Sequence, residues 1–178
     1  MESILDEIEH ARLIQEIESV ASRANIPIHL IHQSSLPYLT QVEAEWLKNV
    51  KKHHLDNKFG LVIYDKVSVS VQIKFMAMAA ALVRNFIDGM VVTLADLVPE
   101  KDRPVVNPTV LLVPNFYTSS EGKPLTSWQL QEIQSVLTRR IVECRQTILY
   151  VSDLKMMKLH YGEAIAALLQ NNYDAAGE

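Results

Sequence analysis

The chain has one cysteine, Cys144, in 178 residues. That excludes an intramolecular disulfide and any cysteine-rich zinc site. Cys144 falls in a helix-like run, so a buried structural thiol is expected. No apolar run approaches ~20 residues, so no membrane-spanning helix is expected. The first twenty residues, MESILDEIEHARLIQEIESV, are acidic and amphipathic. A secretory signal would be basic and then continuously apolar, so a cytoplasmic location is expected. Neither sign of charge dominates. A net charge of -4 gives no general pull toward nucleic acid or an anionic membrane, and such contact would need a local patch. Internal repeats and low-complexity segments are absent too.

What is present is ordinary for a folded domain: 48% hydrophobic and 21% charged residues. A chain of this length buries roughly 70% of its unfolded surface. Buried strands are expected in FGLVIY, MVV, TVLLVPNF and QTILYVS, each a short apolar run of the parallel-sheet kind. Helical spacing marks 2–24, 40–54, 74–86, 127–141 and 155–171, with Ser127 as an N-cap and YDAAGE as a loose tail. The alternation predicts an α/β three-layer sandwich with a mainly parallel sheet, preceded by an amphipathic helix over 1–25. In that first helix Ile4, Ile8 and Ile17 lie on the apolar stripe. The stripe can pack on its own domain or dock a partner.

One connection lacks what its surroundings suggest. A strand, a connection and a helix run through GLVIY, DKVSVSVQIK and FMAMAAALVRNF, and the connection contains no glycine. A phosphate-binding loop needs glycines for close backbone approach and a lysine for the outer phosphates. Val67, Val69 and Val71 instead alternate with Ser68, Ser70 and Gln72, a strand-like period of two. The valines resist left-handed backbone angles. An added edge strand or a hairpin through Asp65-Lys66 is the expectation. Lys66 lies before the phosphate-lysine position and Lys74 beyond it.

The order of these stretches, with SWQLQEIQSVLTRRIVECRQTILYVSDL and LHYGEAIAALL, resembles a known family. It is similar to the AAA+ (P-loop NTPase) core of bacterial helicase loaders of the DnaC and DnaI type and of the related IstB transposition ATPases. The likeness runs from Phe59 to Asn171. It implies a replicative helicase, an initiator or a transposase as partner, engaged through an N-terminal extension. Side-by-side homo-oligomers are a further implication. The chain departs from the family where nucleotide chemistry resides. The Walker B strand should end in two acids, and this one ends Val113-Pro114-Asn115. The sensor strand ends Ser152-Asp153, and the helix after Gly162-Glu163 has no arginine. The arginine pair Arg139 and Arg140 keeps the family's spacing. The expectation is therefore a non-enzyme with no cofactor, an adaptor or inhibitor in DNA replication or mobile-element biology, with Ile4, Ile8 and Ile17 as contacts.

The alternative is a single-stranded nucleic-acid-binding module. Lys48, Lys51, Lys52, His53 and His54 form the one dense basic cluster, and Arg139 and Arg140 could join it. A few lysines give weak, salt-sensitive phosphate binding, and no aromatics interleave with them to stack on bases. His29 with His32, and His53 with His54, lack the further ligands of a zinc site. A GxSxG nucleophile elbow is absent. Trp46, Trp128, Met76 and Met78 are expected in cores or grooves.

Overall fold

The computed structural model describes residues 3–64, 70–98, 107–118 and 125–177. Among the described residues five strands form one sheet: β1 (Gly60–Ile63), β2 (Gly89–Val91), β3 (Val110–Tyr117), β4 (Gln146–Val151) and β5 (Asp174–Ala176). Their order is β2-β3-β4-β1-β5 and every pairing is parallel. Nine α-helices accompany them among the described residues: α1 (Ala11–Gln15), α2 (Ile17–Ala24), α3 (Ile28–Ile31), α4 (Gln41–Lys48), α5 (Val71–Arg84), α6 (Leu94–Leu97), α7 (Ser127–Val142), α8 (Leu154–Tyr161) and α9 (Glu163–Asn172). The α/β three-layer sandwich expected from the sequence is what the chain forms.

Alternation along the strands splits the core in two. Leu61, Ile63, Val110, Leu112 and Ile148 face α5 and the N-terminal helices. Val62, Leu111, Val113, Leu149 and Val151 face α7 and α9. Both sheet faces are covered, which is why the strands read as continuous apolar runs. Pro114, which lacks a donor, sits in the break of register between Val113 and Tyr117.

Several local expectations are corrected. The helix over 2–24 is instead a capped turn followed by two short helices that break at Glu16. Asp6 Oδ1 accepts from the backbone N–H of Ile8 and Glu9, both at 2.8 Å. A short acidic side chain that bonds its own backbone favours a turn over a helix interior. Leu5, Leu13, Ala21 and Ala24 are buried in the same cluster as the sheet. Asn25 ends α2 with φ 56 and donates its side-chain amide to Val91 O at 2.9 Å, tying α2 to edge strand β2. α5 begins at Val71, so Val71 to Ile73 are its first turn and not strand; residues 65–69 lie outside the described residues. Thr126, not Ser127, caps α7, in a capping box with Gln129.

The terminal helix is two helices, broken at Gly162 with φ 88 and ψ 167, a region only glycine occupies readily. The expected loose tail is β5, paired parallel to β1. Cys144 is exposed, not buried: it lies just past the end of α7, at φ 53. Trp46 is buried, whereas Trp128 is half exposed on α7. Met78 is fully buried and Met76 packs partly against the same core. No helix among the described residues is long and apolar enough to cross a membrane.

Candidate functional site

In a parallel α/β sheet the natural ligand crevice lies at the carboxyl ends of the strands, where connections leave toward opposite faces. Here that point lies between β1, which feeds α5, and β4, which feeds α8 and α9. The side chains around it hold the fold together. Asn115, at the position of an acid in the resembled family, accepts from Leu94 N at 2.9 Å and so caps α6. Asp153 caps α8 by accepting from Lys155 N and Met156 N at 2.9 and 3.0 Å.

The aromatic residues at this end also pair with one another. Tyr161 donates its hydroxyl to Phe116 O at 2.7 Å and packs edge-on against Tyr117. Burial, with a smaller contribution from Tyr117, pushes the Tyr161 phenol up to about 12. The Tyr117 hydroxyl lies 2.9 Å from His160 Nδ1.

Lys74 is engaged inside the fold. Its ammonium lies 2.7 Å from Glu43 Oε1, and both residues are almost wholly buried, at 3% and 1% exposure. The other carboxylate oxygen of Glu43 accepts from Thr40 N at 2.7 Å and closes the capping box of α4. One ion pair thus fastens α4 to the first turns of α5. Lys66 lies outside the described residues.

The arginine pair divides. Arg139 is exposed. Arg140 is buried and donates to Thr147 Oγ1, Asn107 Oδ1 and the carbonyls of Pro108, Thr109 and Gln146. Burial lowers its guanidinium to about 10, still protonated at neutral pH. This correction removes Arg140 from the nucleic-acid candidates: its donors are consumed at the amino-terminal end of β3 and β4.

Lys48, Lys51 and Lys52 are exposed at the end of α4, and Lys48 reaches Glu45 at 4.0 Å. His53 does not stand free beside them. Its ring stacks on Trp46 at 4.4 Å, and Nε2 lies 2.9 Å from Trp46 O. Trp46 Nε1 in turn donates to Asp174 on β5 at 2.9 Å. Among the described residues no three His, Cys, Asp or Glu side chains gather as a metal site.

The three N-terminal isoleucines also divide. Ile17 packs, partly buried, against the core, which corrects its place among the contacts. Ile4 is half exposed and Ile8 is 89% exposed. Ile8 stands on the turn that Asp6 caps, between Glu7 and Glu9, with Leu5 and Leu13 anchoring the chain on either side. Nearby, His10 stacks on Phe86 at 5.7 Å. Phe86 is exposed and sits at φ 56, unusual for an aromatic residue. Helical periodicity did not single out Phe86 or the turn, because neither belongs to a helix interior.

Beside this face lies a groove of about 380 Å³. Its apolar wall includes Leu36, Leu39, Leu47 and Val50, and Lys48 and Lys51 stand at it. No protein-family model matches the chain, and no curated protein matches it.

Proposed function

We propose that this chain is a non-catalytic adaptor or inhibitor that binds a protein of DNA replication or transposition: a replicative helicase, an initiator or a transposase. The partner class comes from the resemblance to helicase loaders. One observation carries the binding mode. Ile8, a β-branched apolar residue, is held out to solvent on a turn capped by Asp6. A large apolar side chain that is anchored and exposed loses little entropy on docking. The structural duties of Asn115, Asp153 and Lys74 at the sheet end support a role without nucleotide turnover. An active loader releases its target through turnover, so this chain would hold or block its partner.

The test is affinity capture from native lysate after nuclease treatment and at high salt, with wild type and Ile8→Glu in parallel. Retention of a helicase, initiator or transposase by wild type and its loss with Ile8→Glu is the expected result. Equal capture by both would sink the binding mode.

A second reading, single-stranded nucleic-acid binding, is favoured by the exposure of Lys48, Lys51, Lys52 and Arg139. Charge reversal at Lys51 and Lys52 would then weaken binding and flatten its salt dependence.

A further inference from the structure

We propose that two copies of this chain pair about a two-fold axis, each seating its Glu7-Ile8-Glu9 turn in the groove of the other. The groove has an apolar wall with two lysines, and neither Lys51 nor the carboxylates of Glu7 and Glu9 have an ion-pair partner among the described residues. The turn is its complement in one short segment: an isoleucine at 89% exposure with an acid on each side. Asp6 adds a third negative charge. Backbone N–H groups of Glu9 and Ile8 hold its carboxyl below the usual carboxylate range, so it stays ionised at neutral pH.

The two surfaces border each other. Ile4, four residues before Ile8, lines the groove, as do Asn85 and Ile87 on either side of Phe86, the residue against which His10 stacks. A patch and its complement placed side by side on one molecule are satisfied together by a two-fold operation, which closes the assembly at two. Ile8 does not enter the groove of its own chain, since it remains almost fully exposed. The pairing also covers Ile8, so a dimer and a complex formed through Ile8 exclude each other.

The test is sedimentation velocity on the purified chain across a concentration series at low and high salt. It needs no partner, so its outcome is independent of the adaptor reading. A monomer–dimer equilibrium with a dissociation constant in roughly the micromolar range is expected for a small interface of this kind. Ile8→Glu, the pair Glu7→Lys with Glu9→Lys, and the pair Lys48→Glu with Lys51→Glu should each weaken dimerisation at least tenfold. All five positions are surface residues, and circular dichroism should report an unchanged fold. Mixing the two charge-reversed variants should restore a dimer, because every turn then meets a groove of opposite sign. A monomer at all concentrations, a dimer indifferent to these changes, mixed variants that stay monomeric, or growth beyond two copies would each overturn the proposal.

Discussion

Replacing Lys74 by Met tests whether the lysine after β1 serves structure. At 2.7 Å, and with an effective dielectric near 20, the Lys74–Glu43 attraction is about 6 kcal/mol. Desolvation of two nearly buried ions offsets most of that, so the pair is close to neutral relative to apolar neighbours. Breaking it is different. Lys74→Met leaves the Glu43 carboxylate buried without its counter-ion, which costs about 3–5 kcal/mol. A domain of this kind has only about 5–15 kcal/mol in all. Glu43→Gln combined with Lys74→Met removes both charges and keeps an acceptor for Thr40 N, so the double variant should lose only about 1 kcal/mol. Urea unfolding of the four proteins in a double-mutant cycle reads the coupling. A single-variant loss below about 1 kcal/mol, or strict additivity, would refute the reasoning and free Lys74 for another role.

Three further outcomes follow from particular contacts. Gly162→Ala should destabilise by about 1–3 kcal/mol in urea unfolding, from backbone conformation alone, because nothing crowds the position. Removing residues 173–178 should leave β1 as an exposed apolar edge and strip Trp46 of its Asp174 partner. The truncated protein should aggregate on expression, and a soluble, cooperatively folding product would show that β5 is dispensable. Tyr161, with its phenol raised to about 12, contributes stability that is complete below pH 10 and is lost as pH rises through 12. Alkaline melting curves of Tyr161→Phe should therefore fall less steeply between pH 10 and 12 than those of wild type.

The sheet was legible because burial on both faces writes strands as apolar runs. β1, β3 and β4 were found from that signal alone. β5 was not, because Asp174-Ala175-Ala176 has neither length nor β-branched residues, and its place comes from pairing with β1. The N-terminal stripe was read as one helix because hydrophobic spacing is blind to a carboxylate that competes for backbone donors. Asp6 does so at Ile8 and Glu9. The roles of Arg140 and Lys74 depend on partners distant in sequence, Asn107 and Glu43, and no local pattern announces them. Ile8, an apolar contact candidate from the stripe, is exposed, and that exposure follows from the turn rather than from a helix face. The groove gathers residues from 4 to 87 and left no local mark.

The most direct test is an isothermal titration of magnesium-ATP into the purified chain. An α/β scaffold whose sheet end serves structure should give no saturable heat up to millimolar nucleotide. A saturable isotherm with one site per chain, weakened when Arg139 is replaced, would contradict the proposal of a non-catalytic adaptor.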